Sequence, residues 1–381
     1  LEALEGGTAR HVVDVVRHAP GIEHHVAIPS RRVGWATDEL AAAQMTDAGA
    51  SVHIVEMRRR PFSAHNVRAV RQLRHLMRDL EPDVVHGHSS AGGALARVAA
   101  VRLPPSCMYT PNGIRRSRSA LAIERLLRRV TDTFVAVSDS EADVAVELGL
   151  SDREHLVVIP NGIDLTPVPA GDALRARLGI AADVALVGTI ARLVPQKAPE
   201  VFVRACAAVA TTHPKTCFVL IGSGPLQPLV EHEVRRGALV DRFHHVPFLA
   251  GASAVLGQLD VFVLASRFEG GPYTPLEAIR AGTAVVLSDA VGNRDVVEPE
   301  VSGLVVPVDD PHALARAIES LLDDPTARRA MAERAVERLH ACFDVRTMGA
   351  RLSQLYSELS SSTRTSPRAA ARRRTLRSDA S

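Results

Sequence analysis

Lysine is almost missing from this chain. Of 45 basic residues only Lys197 and Lys215 are lysines, a bias that fits genomic base composition better than function. Cysteine is scarce as well. Cys107, Cys206, Cys217 and Cys342 stand apart, with no C-x-x-C spacing and no paired histidines, so neither a disulfide framework nor a metal site is expected from them. They read as small apolar residues in a reducing cytoplasm. Aromatic residues make up 3% of the chain, too few for the stacking platforms of a nucleic-acid binder. No apolar run approaches the roughly 18 residues of a membrane span, and no signal-peptide pattern is read at the start. The expectation is a soluble cytoplasmic protein.

What is present is enough apolar material for two cores: 381 residues, 46% hydrophobic, long enough for two ordinary domains. Strand-like runs recur at 25–29, 51–55, 83–87, 107–110, 133–137 and 156–160, each followed by a helical pattern. Strand alternating with helix predicts a parallel sheet covered on both faces. The alternation stops at Asn161-Gly162 and Pro167, Pro169, a turn and linker cluster. It resumes with strands at 184–191, 217–222, 243–248, 261–265, 284–288 and 303–308. The expected organisation is a doubly wound α/β domain over 1–165, a second over 166–344, and a helix over 345–360 after a break at Phe343-Asp344. A disordered basic tail is expected over 361–381, where apolar groups are too few to pack. The first strand is expected to be truncated, since Gly6-Gly7 and its helix follow so soon after Leu1.

The most informative stretch runs from Asp260 to Asp289. A buried strand at 261–265 passes through a Gly270-Gly271-Pro272 turn into a helix beginning near Pro275, and a second buried strand follows at 284–288. Glu269 and Glu277 bracket that turn, at the carboxyl end of the strand where open parallel sheets bind ligands. A capping box with Thr274 as N-cap, Pro275 at the first helical position and Glu277 at the third would by itself explain Glu277. Glu269 has no such local explanation. Arg192 and Lys197 also follow a strand and precede a helix; each alone is an ordinary surface cation. In a chain that uses arginine almost everywhere, Lys197 implies a need for an ammonium. Gly222 and Gly224 form a G-x-G strand-to-helix turn, weak on its own. Asp309-Asp310 has no neighbours in sequence to complete a ligand set, so no metal site is expected.

The pair Glu269 and Glu277 in SRFEGGPYTPLEAIRAG resembles the E-x7-E motif of retaining nucleotide-sugar glycosyltransferases of family 4. These have the GT-B fold, two Rossmann-like doubly wound domains facing each other across a cleft. Arg192 and Lys197 resemble the family's R-x4-K pair, which holds the donor diphosphate. The segment at 159–164 resembles its IPNG-[IV]-D junction, Gly222 and Gly224 its G-x-G-P turn, and Gly6-Gly7 its N-terminal glycine loop. His86, His88 and Ser89 resemble its H-x-H-S signature, with His88 and Ser89 placed to meet acceptor or donor sugar. The resemblance implies that Glu269 contacts the donor sugar and that Glu277 binds the ribose, with Gly270, Gly271, Tyr273, Thr274 and Asn112 also at the donor.

Transfer would be front-face and metal-independent, with no cofactor. The donor is a nucleotide-diphosphate-sugar and the acceptor a glycan or lipid-linked glycan. The sequence departs from the family at Ala191 and Ala198, where glycine is frequent, and at Asn112, where many relatives have a histidine. A paired-carboxylate glycosidase is disfavoured by the doubly wound halves and the Arg192/Lys197 pair. A nucleotide-sugar 2-epimerase of similar fold and a non-catalytic nucleotide-sugar-binding relative remain as alternatives.

Charge is unevenly placed. Residues 57–129 hold 15 arginines against Asp79, Glu81, Asp83 and Glu124, while the whole chain is only +2. Solvated helix faces explain such a segment. Attraction to an anionic membrane surface explains it too, and would place the protein on the inner face of the cell membrane. Nucleic acid is not an expected partner.

Overall fold

In the computed structural model, the described residues are 6–29, 37–58, 63–168, 173–249 and 251–365. The expected truncated first strand falls on residues 1–5, outside them. The chain divides into two compact units, Leu1–Gly162 with Val345–Ser381, and Ile163–Asp344.

The second unit shows how the sequence builds its sheet. Six strands, β7 (Leu186–Ile190), β8 (Cys217–Ile221), β9 (Phe243–Val246), β10 (Val261–Leu264), β11 (Ala284–Ser288) and β12 (Leu304–Val306), are numbered in chain order after six in the first unit. All pair in parallel, in the order β12-β11-β10-β7-β8-β9. Successive side chains of a strand point to opposite faces, and here both faces are covered. Val187, Phe218, Leu220, Val261, Val263 and Val286 enter one core, while Leu186, Val219, Ile221, Phe262, Leu264 and Val285 enter the other. A strand buried on both sides must be apolar at every position, which is why these strands read as continuous apolar runs. The chain winds outward from β7 in one direction and from β10 in the other. The carboxyl ends of these two neighbours therefore form a topological switch point, the place where such sheets bind ligands.

In the first unit β1 (His25–Ile28) pairs with β2 (Ser51–Ile54), and β3 (Val84–His88), β4 (Ser106–Thr110), β5 (Thr133–Ala136) and β6 (Leu156–Val158) form a four-stranded sheet; all pairs are parallel. The described strands thus hydrogen-bond as two sheets, not the one expected. β1 and β2 are four residues long and partly exposed, whereas β4 and β5 are buried throughout. Met108 and Val135 pack with Val15 and Ala19 of the helix Gly6–His18 and with Val345, Met348, Leu352 and Tyr356 of the helix Val345–Thr365. The two helices touch closely: a Cβ on Gly349 would stand 2.0 Å from the His18 carbonyl oxygen.

Two expectations about the C-terminal segment need correction. The helical pattern from Pro311 breaks twice, not once. Besides the break at Phe343-Asp344 there is one at Asp324, whose carboxylate caps the helix Pro325–Cys342 by accepting from the N–H groups of Thr326 (3.0 Å) and Ala327 (2.9 Å). The last helix also runs on to Thr365, into the expected tail. Ser361 bonds back to the Ser357 carbonyl at 2.9 Å, so the helix carries its own polar groups past the last apolar contact. Residues 366–381 lie outside the described residues.

Candidate active site

The loop after β7 and the loop after β10 meet at the switch point of the second unit. Lys197 ends a 3-10 turn, Pro195–Lys197, and Glu269 lies five residues past β10. The Lys197 Nζ stands 2.6 Å from the Glu269 Oε1, with side-chain exposures of only 15% and 8%. A carboxylate this buried is costly alone, and the ammonium compensates it. Gln196 donates from Nε2 to the Phe268 carbonyl (2.9 Å) and, more weakly, to the Glu269 Oε2 (3.4 Å). The Arg267 N–H donates to the Gln196 carbonyl at 2.8 Å, and the Glu269 N–H to the Val291 carbonyl at 3.0 Å. Arg192 sits on the same loop as Lys197, exposed, with no side-chain hydrogen bond or ion pair among the described residues. One cation is thus fixed beside the carboxylate and a second is unengaged.

Glycines let these loops lie close to one another. Gly222 (φ +142°) and Gly224 (φ +155°) lie against the backbone of the Arg192 loop. A Cβ at the first would stand 2.0 Å from the Ala191 carbonyl oxygen and at the second 2.5 Å from that of Leu193. Their role in the structure is to let this loop lie on the turn after β8, which also accepts from it: Leu193 N–H to Ser223 carbonyl, 2.9 Å. Gly292 does the same for Gly270, with 2.2 Å from its Cβ position to the Gly270 oxygen. Ala198, where relatives often have glycine, is buried in the left-handed conformation, φ 46°. The loop keeps the backbone a glycine would favour, at the strain of a left-handed alanine.

The helix after Gly271 starts earlier than expected. It spans Tyr273–Arg280 with Pro272 as the residue before it, so Thr274 is not the N-cap and Glu277 is not at the third position. Pro275 falls in the first turn, where its missing N–H costs nothing. The capping-box explanation of Glu277 therefore lapses. Glu277 and Thr274 are half-buried on this helix, and the Tyr273 ring packs into the unit's core.

The remaining expected residues lie in the first unit. Gly6 and Gly7 are the exposed first residues of the helix Gly6–His18, Gly6 in the left-handed conformation at φ 65°; the chain that would lead into the turn read from the sequence lies outside the described residues. His88 ends β3, Ser89 follows in a φ 62° conformation, and Asn112 sits two residues past β4 at φ 52°. Ser89 donates its N–H to the Thr110 carbonyl, 3.1 Å, which brings the two loops to one edge of the sheet. His86, within β3, is held at both nitrogens, Nδ1 2.7 Å from the Tyr356 hydroxyl and Nε2 2.8 Å from Thr110 Oγ1.

The sequence matches the family described as Glycosyltransferase Family 4 over residues 5–167 and Glycosyl transferases group 1 over 171–338. It is 31% identical over 296 residues to a glycogen synthase of Mycobacterium tuberculosis, covering 73% of this chain and 69% of that one. The chain belongs to glycosyltransferase family 4. It is also 28% identical over 282 residues to the UDP-Gal:alpha-D-GlcNAc-diphosphoundecaprenol alpha-1,3-galactosyltransferase of Escherichia coli, covering 68% of this chain and 71% of that one. Among solved structures, Anabaena Alr3699/HepE in complex with UDP shares the fold at a TM-score of 0.79 and 20% identity, over 94% of this chain and 98% of that one.

Several site residues of this glycosyltransferase escaped the sequence. Arg267 clamps the Lys197 loop: its guanidinium donates to the Pro195 carbonyl (2.6 Å), to Glu200 Oε1 (2.6 Å) and through Nε to both Asp309 oxygens (2.8 and 3.0 Å). Its partners lie 42 to 72 residues away in the chain, beyond any local pattern. Glu141 is fully buried and its two oxygens accept from the N–H groups of Gly113 (2.7 Å) and Val137 (2.9 Å), fixing the loop that carries Asn112. His11 is fully buried, with its Nδ1 2.9 Å from Asn161 Oδ1. Its signal was present: it lies on the apolar stripe of its helix with Val12 and Val15.

Proposed function

We propose that this glycosyltransferase moves a sugar, with retention at the anomeric carbon, from a nucleoside-diphosphate sugar to a glycan or lipid-linked acceptor, without a metal. The observation that carries the reading is the Lys197–Glu269 pair at the switch point, with the unengaged Arg192 on the same loop. When the bond between the anomeric carbon and the phosphate oxygen breaks, negative charge collects on the departing diphosphate. Cations in a partly desolvated site stabilise that charge without reorganising. Lys197 and Arg192 supply them, and Lys197 stays near Glu269, which contacts the sugar.

The acceptor hydroxyl bonds to the same face of the carbon and gives its proton to the departing phosphate oxygen, so no enzyme nucleophile is required. The cationic loop of Arg192 and Lys197 does the work a divalent ion would do. The names of the relatives above supply the acceptor classes, a polymeric glycan and a sugar on a lipid diphosphate.

The test is nucleoside diphosphate release from a panel of sugar nucleotides without acceptor, in EDTA, for the purified protein and Glu269→Ala. Slow release from one donor that the variant lowers at least tenfold is the expected result. Binding without release would favour a non-catalytic protein, release of an isomerised sugar nucleotide an epimerase, and loss of activity in EDTA would end the metal-free mechanism.

A further inference from the structure

The two loops that meet at the switch point of the second unit each carry a cation and a carboxylate a few residues apart. The loop after β7 has Lys197 and then Glu200, which lies in the first turn of the helix Pro199–Thr212. The loop after β10 has Arg267 and then Glu269. Each cation pairs across to the other loop: Lys197 Nζ stands 2.6 Å from Glu269 Oε1, and Arg267 Nη2 stands 2.6 Å from Glu200 Oε1. Two carboxylates thus lie within reach of one cationic loop, and the pairing decides which of them Lys197 meets.

Glu200 depends on Arg267. It is 8% exposed, and its second oxygen, Oε2, is buried without a hydrogen-bond partner. Its bond from Arg267 is the one side-chain hydrogen bond it makes among the described residues. Arg204, one turn further along the helix, is engaged by Glu233 through Nε at 3.0 Å and Nη2 at 2.9 Å, and acts on Glu200 only through space. A carboxylate in a first helical turn favours the helix, which accounts for Glu200 locally. The same charge repels a diphosphate arriving at the neighbouring Arg192 and Lys197. A buried carboxylate that lost its partner would also draw the flexible ammonium of Lys197, three residues away in the chain, off Glu269. Asp309, the other carboxylate on Arg267, has a side chain 49% exposed, so water screens it and Glu200 is the charge that matters.

We propose that Arg267 is a positioning residue for the donor diphosphate: by neutralising Glu200 it keeps Lys197 on Glu269 and leaves the charge of the Arg192 loop to the anion. The inference rests on the mechanism given under Proposed function and names the residue on which its cationic loop depends. Every nitrogen of the Arg267 guanidinium is already engaged, Nη1 by the Pro195 carbonyl, Nη2 by Glu200 and Nε by Asp309. It therefore acts through these partners and not on the phosphate itself. Its planar fork serves three partners at once; a lysine would keep the charge beside Glu200 but not the full set of bonds.

The test separates charge from scaffolding. Binding of inorganic pyrophosphate, a panel of nucleoside diphosphates and the parent nucleosides is measured in EDTA for the full chain, Arg267→Gln, Arg267→Lys, Glu200→Gln and the double variant Arg267→Gln/Glu200→Gln, with thermal unfolding to check each fold. Arg267→Gln keeps hydrogen-bond donors and loses the charge; it is expected to bind the anions about tenfold more weakly, a coupling usual within one ion-pair network, while nucleoside affinity follows the wild type. Arg267→Lys is expected within about threefold of the wild type. In the Glu200→Gln background the loss caused by Arg267→Gln shrinks to less than about threefold, because the charge it had neutralised is gone. Glu200→Gln alone keeps an acceptor of the same shape for Arg267, so it reads the effect even where Arg267→Gln fails to fold, and about twofold tighter pyrophosphate binding is expected of it.

The same fold-loss in both backgrounds, an equal loss for nucleosides and anions, or Glu200→Gln binding pyrophosphate no more tightly than the wild type would overturn the proposal and leave Arg267 as a strut. Pyrophosphate binding without binding of any nucleoside diphosphate would count against the donor reading alone, because the cycle read on pyrophosphate still tests Arg267. Binding of none of these anions by the wild type would overturn both.

Discussion

At the scale of single residues, the three adjacent histidines of the first unit make acid stability a readable quantity. Desolvation lowers His11 to a pKa of about 4 and His86 to about 3, the latter with help from neighbouring histidines, and His88 falls well below its ordinary value for the same reasons. In the unfolded chain each returns to about 6.5. Between those values the unfolded state binds more protons, so stability rises with pH there. The contribution is complete above about pH 6.5 and is lost as pH falls toward 4 and then 3, each tenfold change in proton affinity being worth about 1.4 kcal/mol. The melting temperature should therefore fall steadily from pH 7 to pH 5, and fall less in His86→Asn, in a series of thermal scans. A wild-type profile that is flat over this range would contradict the buried neutral state.

At the scale of elements, the strand-to-helix turns carry the site, and glycine fixes how they stack. Gly222→Ala puts a methyl 2.0 Å from the Ala191 carbonyl oxygen at a left-handed φ, a strain of about 1–3 kcal/mol that falls on the loop bearing Arg192. A lower melting temperature and about tenfold weaker binding of a nucleoside diphosphate are expected by thermal scan and titration; wild-type affinity would show that the loop's placement does not matter.

The strands were legible because each is an apolar run closed by a turn, Val261–Leu264 before Gly270 being the clearest. The Asp324-Pro325 break carried a local signal too, and was hidden by helical residues on both sides. Glu269 was legible because a carboxylate directly after a buried strand has no local reason to be there. Arg267, Gln196 and Glu141 were not, since what makes them matter is a partner brought near only by folding.

At the scale of the whole molecule, charge is the feature still without a task. Arg68, Arg71, Arg78, Arg115, Arg116, Arg118 and Arg129 are exposed on or beside the helices Ala64–Leu80 and Arg118–Leu127. Others of the cluster are engaged: Arg74 donates to the Ala99 and Val101 carbonyls, Arg97 is buried against Glu124, and Arg128 pairs with Asp152. No helix among the described residues is long and apolar enough to cross a membrane. Seven exposed guanidiniums, each worth about 1 kcal/mol near an anionic bilayer, predict co-sedimentation with vesicles containing anionic lipid at low salt and release at high salt. Equal recovery in the supernatant with anionic and neutral vesicles would reduce the patch to a solvated surface.

The division of the chain also sets an order of events during synthesis. The first unit is interrupted by Ile163–Asp344 and completed only from Val345 onward, and the late helix supplies Met348, Leu352 and Tyr356 to a core begun by Val15 and Met108. At translation rates of about 5–20 residues per second, the intervening ~180 residues take roughly 10–40 s to emerge. Throughout that interval the portion of the first unit already made waits with one apolar face uncovered, while the second unit can already close. Of the two units, the one begun before the other is thus finished after it, and a ribosome-bound chaperone has its longer opportunity there.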